Sequence, residues 1–382
     1  MSARIVLLAQ CITEDCVEKR NNSAYLSIAG RKKCLNLAAY LATLGHSVTI
    51  LSNSYAKGNF LACSEQHGPG ITIRHAPTLS LFGRRTVFKR TIASAFNTWE
   101  LLKRRGSTDL VVIYNYHAEF AIPALVAAKF AGIPFLLDYE DGLYLDRHYR
   151  SAFYRAIEQA TYGACSGIIY VNPKLAERVG RFKDMTPHAV IHSYFNRADT
   201  LGIQASPGTH NEVLFAGNFS YGFGFEELKQ YVTCLPPDYT FSICGRAGRS
   251  ETKEIEALCA MHPGTRLLGF VPRQALEDLM HRAKAVILLN DVQSPFNDTN
   301  FPSKLYDYLS NGKIIICTRN PLLQGYATMK CILQIDSIAK DFPHLDRLLE
   351  TRCFVPQEVH ALHENILNQL RQIVATTTRQ RC

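Results

Sequence analysis

Short apolar runs alternate with helical stretches along most of the chain, and this alternation restricts the fold more than any other feature. The first run, "RIVLLA" at residues 4–9, is followed by a helical segment at 29–45 and by "HSVTILS" at 46–52. That order predicts a βαβ unit, the beginning of a parallel sheet. Further predicted strands fall in two groups, at 109–115, 133–141, 166–172 and 188–194, and then at 212–220, 239–245, 265–271, 285–290 and 313–318.

The two groups of strands indicate two domains. A chain of 382 residues exceeds what one hydrophobic core usually serves. Between the groups lies "NRADTLGIQASPGTHN", which is polar and rich in turn-forming residues. We therefore predict two Rossmann-like, doubly wound α/β domains that face each other across a cleft. The predicted boundaries are 1–198 for the N-terminal domain, 199–211 for the linker, 212–355 for the C-terminal domain and 356–382 for a C-terminal helix and tail.

The composition is that of an ordinary globular protein, with 47% hydrophobic and 20% charged residues. The first apolar run is too short for a secretory signal, and no stretch approaches eighteen uninterrupted apolar residues, so we expect no membrane span. The twelve cysteines are scattered, without a CxxC pair. This usage favours reduced core cysteines in a cytoplasmic protein. His and Cys residues form no matching pairs for a structural metal, and we expect none.

The excess of positive over negative charge lies in the first quarter of the chain. Residues 1–105 hold 15 Lys and Arg against 5 Asp and Glu, a net charge of +10, whereas the remaining residues carry −1. Much of the excess lies around a helical stripe of Ile92, Phe96, Trp99 and Leu102. The cations near this stripe are Arg84, Arg85, Lys89, Arg90, Lys103, Arg104 and Arg105.

A basic helix with an aromatic stripe is typical of a segment that lies on an anionic membrane surface. The alternative is that the stripe packs on the sheet while the charges are solvated. A nucleic-acid patch would be electrostatically similar. No recognised nucleic-acid motif accompanies it, so we expect no nucleic-acid partner.

Glycines and arginines follow two of the C-terminal strands. One strand ends at Gly217, and Gly222 and Gly224 precede a helix near Glu226. Small residues there let backbone amides approach a phosphate at a helix N-terminus. The next strand ends in "CGRAGRSE", which brings Arg246 and Arg249 to the same edge. Arginine suits a diphosphate because its planar fork donates two bonds, although Arg249 could equally be a solvated loop residue.

The segment "NFPSKLYDYLSNGKIIICT", residues 300–318, predicts a helix that leads into a buried strand. Pro302 marks the helix start, and Ser303 can cap it or leave amides free. Lys304 and Asp307 lie three residues apart, on one face. A lysine in the first turn of a helix is unfavourable because of the helix dipole, and a bound pyrophosphate would offset this effect. The Asp307 carboxylate could accept hydrogen bonds from the hydroxyl groups of a ribose or hexose. A plain i,i+3 salt bridge remains the alternative.

These residues carry a resemblance to a known family. "LLGFVPRQALEDLMHRAKAVILLN" followed by "FPSKLYDYLSNGKIIICT" is similar to the second half of GT-B glycosyltransferases, especially the large retaining group 1 type of bacterial nucleotide-sugar enzymes. Their segment resembling P-x-K-x-x-E-Y-L-A-x-G is matched here at Pro302, Lys304, Tyr308, Leu309 and Gly312, with Asp307 in place of the glutamate. Over the first 200 residues the resemblance is looser and covers the helix from Gly30 and the strand near His46.

The resemblance implies that the C-terminal domain binds a nucleotide-sugar donor and the N-terminal domain binds the acceptor, with no metal or other cofactor. Asp307 would hold the ribose, and Lys304 would neutralise the diphosphate. The implied donor set also contains Gly217, Asn218, Arg246, Arg249, Pro302 and Ser303, and the acceptor-side loop contains Gly30 and Arg31. The family's arginine and lysine after the Gly217 strand are replaced by Asn218 and the residues after it, and we expect Arg246 or Arg249 to compensate.

Acidic residues end the N-terminal strand "FLLDYEDG", where many retaining relatives have a histidine. Asp138, Glu140 and Asp141 would lie at the carboxyl end of this strand. Glu140 or Asp141 could deprotonate an acceptor hydroxyl, orient the sugar, or only cap the following segment. His117, at another strand end, is a second catalytic candidate.

We therefore interpret the chain as a cytoplasmic glycosyltransferase that builds a bacterial surface polysaccharide. Its expected partners are a nucleoside diphosphate sugar, a glycan or lipid-linked acceptor, and the anionic inner membrane surface. One alternative is a sugar-nucleotide epimerase of the same fold. Another is a non-catalytic protein whose basic helix binds lipid or nucleic acid.

Overall fold

The structure, a computed structural model, describes residues 2–21, 28–53, 55–79, 86–140, 151–179, 186–195, 204–206, 208, 210–219, 224–289 and 301–379. Contacts divide the chain into two compact units. Unit 1 consists of Met1–Ala198 together with Glu364–Cys382, and unit 2 consists of Asp199–His363. Each unit is an α/β domain built on a mainly parallel sheet, so the prediction of two Rossmann-like domains is confirmed.

The sheet of unit 1 has eight strands within the described residues. They are β1 (Arg4–Ala9), β2 (Ser47–Ser52), β3 (Cys63–Gly68), β4 (Ile71–His75), β5 (Leu110–Tyr114), β6 (Phe135–Tyr139), β7 (Gly167–Tyr170) and β8 (His188–Val190). Their order is β3-β4-β2-β1-β5-β6-β7-β8, and only the β3–β4 pair is antiparallel. The central strands are mainly apolar and buried, apart from residues such as Arg4 at the start of β1 and Asp138 in β6, because helices cover both faces of a parallel sheet.

Six described helices connect the strands of unit 1. They are α1 (Glu14–Lys19), α2 (Ile28–Thr43), α3 (Thr86–Lys103), α4 (Ala118–Ala131), α5 (Ala152–Ala164) and α6 (Pro173–Val179). Helices α3 and α4 pack against each other. Helix α4 ends at Gly132, whose φ of 62° is the left-handed conformation that glycine adopts at little cost.

Unit 2 contains a second, fully parallel sheet of six described strands. They are β9 (His210–Ala216), β10 (Thr240–Cys244), β11 (Thr265–Gly269), β12 (Ala283–Ile287), β13 (Ile314–Thr318) and β14 (Ile332–Ile335), in the order β11-β10-β9-β12-β13-β14. Its described helices are α7 (Phe225–Thr233), α8 (Arg249–Met261), α9 (Arg273–Arg282), α10 (Lys304–Ser310), α11 (Ile338–Asp341) and α12 (Leu345–Glu350), with 3-10 turns at Pro321–Tyr326 and Phe342–His344.

The last helix, α13 (Pro356–Arg379), is shared between the two units by its contacts. From Glu364 onward it belongs to unit 1, whereas the sequence prediction set 356–382 apart as a tail. The main-chain amide of Val190 in β8 donates a hydrogen bond of 3.1 Å to Gln369 of this helix. Its Thr377 is fully buried. The C-terminal helix therefore completes the packing around the β7–β8 side of unit 1.

The strand orders fix where a ligand site is expected in each unit. In unit 1 the strand order reverses at β1, because β2 lies on one side of it and β5 on the other. In unit 2 the strand order reverses in the same way at β9, which lies between β10 and β12. In open α/β sheets, ligands bind outside the carboxyl ends of the strands at such a reversal. The candidate residues at these two edges are considered below, unit by unit.

Every strand predicted from the sequence is present, but the antiparallel β3–β4 pair and β14 were not anticipated. The described cysteines are free thiols; seven of the eleven are buried, as expected for core residues, whereas Cys353 is exposed. No helix in the described part of the chain is both long and apolar enough to cross a membrane.

Candidate functional site

In unit 2, Tyr308 fixes helix α10 to the carboxyl edge of the sheet. Its buried hydroxyl lies 3.3 Å from the main-chain carbonyl oxygen of Ala216, at the end of β9, and 3.3 Å from that of Ile287, at the end of β12. Leu305 and Leu309 of the same helix are fully buried. Helix α10 is thereby held beside the strand ends where a ligand is expected.

Lys304 and Asp307 lie on this helix, and they form an ion pair. Lys304 Nζ is 3.4 Å from Asp307 Oδ2, and 45% of the lysine side chain and 19% of the aspartate side chain are exposed. An exposed pair of this kind contributes only about 0.3–0.5 kcal/mol. The salt bridge expected from the spacing is therefore present, and it is weak enough for a bound anion to replace it. The predicted role in donor binding stays a prediction.

The start of α10 differs in detail from the expected cap. Ser303 has helical backbone angles, φ −56° and ψ −21°, and its side chain does not cap the helix. The main-chain carbonyl of Pro302 accepts a hydrogen bond from Leu305 N at 2.9 Å. Of the two possibilities considered for Ser303, side-chain capping is thus not used in this structure.

Backbone atoms meet closely where β9 and β10 end. Gly217 N donates to Cys244 O at 2.9 Å, and Gly245 N donates to Gly269 O at 2.8 Å. Gly245 has a φ of 146°, and a Cβ atom there would lie 1.6 Å from the carbonyl oxygen of Gly217. Only glycine fits at position 245, because any side chain would separate these two strand ends.

The other donor candidates of unit 2 lie along the same edge. Asn218 and Arg246 are exposed, and the Arg246 guanidinium carbon is 4.4 Å from the centre of the Phe270 ring. Arg249 is exposed as the first residue of α8. Gly224 precedes α7 with a φ of 82°. The guanidinium of Arg246 stacks on the exposed Phe270 ring, and such a group suits recognition of a planar or anionic ligand.

In unit 1, a buried lysine that the sequence reasoning missed joins two acidic residues. Lys33 Nζ in α2 is 3.3 Å from Asp138 Oδ1 and 3.3 Å from Glu140 Oε1. Lys33 and Asp138 are almost completely buried, and 18% of the Glu140 side chain is exposed. The ammonium also lies 5.6 Å from the centre of the Tyr114 ring and 5.9 Å from that of Tyr194. We call Lys33, Asp138 and Glu140 the Lys33 cluster.

The electrostatics of the Lys33 cluster keep the lysine charged. Burial alone would lower the pKa of Lys33, but Asp138 and Glu140 outweigh this effect and raise it above its ordinary value. Burial raises the pKa of Asp138 to about 6, against the lowering effect of Lys33. The cluster therefore contains one cation for two acids, and burial keeps the pKa of Asp138 above its ordinary value.

Asn115 holds the end of β6 from the neighbouring strand. It follows β5 in the left-handed region, with a φ of 55°, and it is fully buried. Its main-chain amide donates to Asp138 O at 2.8 Å, and its Oδ1 atom accepts from Glu140 N at 2.9 Å. Asparagine tolerates this conformation better than most residues. The left-handed turn thus clamps the backbone that carries both acids of the Lys33 cluster.

The remaining candidates of unit 1 are in different environments. His117 precedes α4 next to Phe120, half-buried, and burial lowers its pKa. Arg31 in α2 forms an ion pair with Glu14, with Nη2 3.3 Å from Oε1, and Gly30 precedes it in the same helix. Asp141 lies outside the described residues.

The basic helix α3 is only partly available for a partner. Arg84 and Arg85 lie outside the described residues. Lys89 donates to Ala56 O at 2.7 Å, Arg90 Nε lies 3.6 Å from the buried carboxylate of Glu119, and Arg104 pairs with the buried Glu100 at 3.4 Å. These three cations bind inward because buried carboxylates and a carbonyl group need partners. Trp99, Lys103 and Arg105 are exposed, with 53% of Trp99 accessible.

A sequence signal for Lys33 existed but was not used. Position 33 shares a helical face with Leu37, Tyr40 and Leu41, all buried. A lysine on such a face needs a buried acid, and the acids at the end of "FLLDYE" were the nearest candidates. Asn115 and Tyr194 carry no comparable signal, because their roles depend on a left-handed turn and on a distant part of the chain.

Comparison with known proteins agrees with this architecture. Residues 30–192 match the family model of the glycosyl transferase 4-like domain, and residues 196–330 match that of glycosyl transferases group 1. Together the two models span most of the chain. The chain belongs to the group 1 glycosyltransferases. No curated protein sequence is significantly similar to it.

Solved structures show the same fold at low sequence identity. The catalytic domain of starch synthase IV from Arabidopsis thaliana, bound to ADP and acarbose, is 12% identical, with a TM-score of 0.61 and coverage of 99% of this chain and 100% of that one. HepE from Anabaena, in complex with UDP and glucose, is 14% identical, with a TM-score of 0.58 and coverage of 99% and 98%. The lipopolysaccharide outer core galactosyltransferase WaaB is 12% identical, with a TM-score of 0.58 and coverage of 97% and 99%. The GT-B fold is thus shown for this chain.

Proposed function

We propose that this glycosyltransferase transfers a hexose from a nucleoside diphosphate sugar to a glycan or lipid-linked acceptor in bacterial surface polysaccharide synthesis, without a metal ion. One observation carries the donor assignment. Tyr308 holds α10 at the carboxyl ends of β9 and β12, and this helix bears Lys304 and Asp307 at 3.4 Å from each other. The Lys304 ammonium and the Asp307 carboxylate, which can accept hydrogen bonds from hydroxyl groups, therefore lie together at the edge where α/β sheets bind nucleotides.

The chemistry assigns each of the two side chains a task. In the transfer, an acceptor oxygen forms a bond to the anomeric carbon and loses its proton, while the bond from that carbon to the diphosphate oxygen breaks. The electron pair of the broken bond leaves with the nucleoside diphosphate. The Lys304 ammonium stabilises this growing charge, which is the part of the reaction where electrostatic help is most effective. Asp307 accepts hydrogen bonds from the ribose.

Two similar structures support a nucleotide-sugar donor, because starch synthase IV is bound to ADP and HepE to UDP and glucose. The similarity to a lipopolysaccharide galactosyltransferase supports a surface polysaccharide as the product.

The donor is tested by a thermal-shift panel of UDP, GDP, dTDP and CMP sugars on the full chain. A ligand at 100 times its Kd stabilises the folded state by about 2.7 kcal/mol, so one base class is expected to raise Tm by several degrees. Lys304→Ala and Asp307→Ala remove the shift, and Lys253→Ala, an exposed lysine on α8, keeps it. No shift with any sugar nucleotide contradicts the proposal. Release of nucleoside diphosphate that increases strongly when an acceptor is added separates a transferase from an epimerase.

The proposed contact with an anionic membrane rests on exposed aromatic side chains paired with cations. Trp99 in α3 and Phe130 in α4 are 53% and 62% exposed. Lys103 Nζ lies 4.9 Å from the centre of the Trp99 ring, and Lys129 Nζ lies 5.5 Å from that of Phe130. Aromatic rings at the level of the lipid headgroups, with lysines reaching the phosphates, are typical of peripheral binding.

This contact has a built-in probe, since Trp99 is the single tryptophan of the chain. Vesicles that contain anionic lipid are expected to shift its fluorescence to the blue, and zwitterionic vesicles to leave it unchanged. In a flotation assay, Lys103→Ala and Phe130→Ala reduce binding, whereas Leu61→Ala, at another exposed apolar residue of unit 1, does not. An unchanged Trp99 spectrum with anionic vesicles contradicts the contact.

A further inference from the structure

Two independent anchors converge on Glu140. Its main-chain amide donates to Asn115 Oδ1 at 2.9 Å, and its side-chain Oε1 lies 3.3 Å from Lys33 Nζ. The first contact fixes the backbone and the second fixes the carboxylate. Because the anchors come from the residue after β5 and from α2, neither depends on the local chain of Glu140 itself.

One carboxylate oxygen of Glu140 is not committed. Glu140 Oε2 is buried and has no hydrogen-bond partner among the described residues, and the same holds for Asp138 Oδ2 and for the hydroxyl of Tyr194. Buried polar atoms are nearly always hydrogen-bonded, and an unsatisfied one costs about 1–3 kcal/mol. Glu140 has the most exposed side chain of the Lys33 cluster, 18%, so it is the member nearest to solvent.

Stability does not account for this arrangement. A buried ion pair usually stabilises a fold little, because desolvation offsets the Coulomb attraction. Here one cation serves two acids, and Asn115 holds a left-handed backbone of the kind that is strained for most residues. The cluster also lies at the carboxyl ends of β5 and β6, beside the β1 reversal of the sheet. Such features are expected where an acidic group has to be held in place for a ligand.

We propose that Lys33 and Asn115 are positioning residues, which hold Glu140 so that its Oε2 atom accepts the hydrogen bond of the attacking hydroxyl. This inference rests on the proposed function. The hydroxyl belongs to the sugar acceptor, or to water when no acceptor is present. The Lys33 ammonium neutralises the charge on Glu140 Oε1 and orients the carboxylate, while Asn115 fixes the position of the main chain at Glu140. Asp138 completes the cluster as the second partner of Lys33.

The test compares variants by steady-state release of nucleoside diphosphate from the donor found in the thermal-shift panel. Lys33→Met removes the side-chain anchor. Asn115→Gly removes the backbone anchor while it keeps the left-handed φ, which glycine adopts freely. Glu140→Gln alters the proposed acceptor oxygen itself. Lys32→Met, at the adjacent position of α2, is the matched control.

We expect Lys33→Met, Asn115→Gly and Glu140→Gln each to lower kcat by about 10- to 100-fold, the size of effect that a small misplacement causes. The KM for the donor stays within twofold, because donor binding is assigned to unit 2. Lys33→Arg, which keeps the charge, restores part of kcat, and Lys32→Met is unchanged. If Lys33→Met does not fold, the double variant Lys33→Met with Asp138→Asn takes its place in the test, because it keeps the net charge of the Lys33 cluster at its original value.

Any one of three results overturns the inference. The first is an unchanged kcat in Lys33→Met and Asn115→Gly, and the second is a loss of kcat in Lys33→Arg as large as that in Lys33→Met. The third is a donor KM that rises in parallel with the loss of kcat. Failure of the proposed function is a different result. In that case the wild-type protein binds no sugar nucleotide, or binds one and never releases its nucleoside diphosphate with water or with acceptors.

Discussion

The ammonium nitrogen of Lys33 lies 3.3 Å from Asp138 Oδ1, and both side chains are almost completely buried. Lys33 belongs to α2, near the beginning of the chain, and Asp138 to β6, in the middle of unit 1. Their meeting joins a helix to the carboxyl end of a strand and brings a titrating acid into the candidate acceptor site.

Asp138 makes the stability of the protein depend on pH. Its pKa is raised to about 6 in the folded protein, so between pH 4 and pH 6 the folded state binds more protons than the unfolded state. The contribution of Asp138 to the free energy of unfolding is therefore largest at low pH and decreases as pH rises through this window. Between pH 4.5 and pH 7 the decrease is about 2 kcal/mol.

The measurement is urea unfolding of the wild-type protein and of Asp138→Asn at the two pH values. The free energy of unfolding of the wild type, relative to that of Asp138→Asn, is expected to fall as pH rises. A difference that is the same at both pH values would show that Asp138 titrates normally in the folded state.

Tyr308 is expected to couple the stability of α10 to donor affinity. Tyr308→Phe removes the hydroxyl that touches the carbonyl oxygens of Ala216 and Ile287, at a cost of about 1 kcal/mol in unfolding free energy. Because α10 carries Lys304 and Asp307, looser anchoring weakens donor binding severalfold. Isothermal titration with the donor measures this change.

Tyr306→Phe is the matched control for this prediction. It removes a hydroxyl of the same helix that lies 2.9 Å from the hydroxyl of Tyr326, in the 3-10 turn Pro321–Tyr326. Its stability should fall by a similar amount while donor affinity stays at the wild-type value. Equal losses of affinity in both variants would argue against a special role for Tyr308.

The contact between Gly245 and Gly217 predicts a position where no side chain is tolerated. Gly245→Ala would place a Cβ atom 1.6 Å from a carbonyl oxygen, so we expect a loss of more than about 4 kcal/mol, or no folded protein. Gly269→Ala is the control, because Gly269 also has a positive φ, 64°, but has open space around it. Its cost should be about 1 kcal/mol, the price of the left-handed backbone alone. Thermal unfolding of both variants decides the matter, and equal Tm values would contradict the steric argument.

The sequence was sufficient for most of the parallel strands because each contains a short run of mainly apolar residues between turn residues. "RIVLLA" and "KIIICT" could be placed within one residue of β1 and β13 for that reason. The β3–β4 pair was missed because "CSEQHG" is polar, and its main-chain pairing with β4 stabilises it without an apolar face.

The candidate site could be predicted only where a local spacing carried the information. The Lys304–Asp307 pair follows from helical periodicity, and the acids of β6 from their place after a buried strand. The partnership of Lys33 with Asp138 spans 105 positions of the chain, so it depends on how helix α2 packs on the sheet. Asn115 needed the left-handed backbone at the end of β5, which no residue pattern announces.

The central claim is that Lys304 of α10 binds the diphosphate of a sugar nucleotide. The most direct test is isothermal titration of the wild-type protein and of Lys304→Ala with the nucleoside diphosphate and, separately, with the nucleoside of the same base. We expect the diphosphate to bind the wild type at least tenfold more tightly than the nucleoside does, and Lys304→Ala to lose most of that difference while Lys253→Ala keeps it. Equal diphosphate affinity in the wild type and in Lys304→Ala would contradict the account.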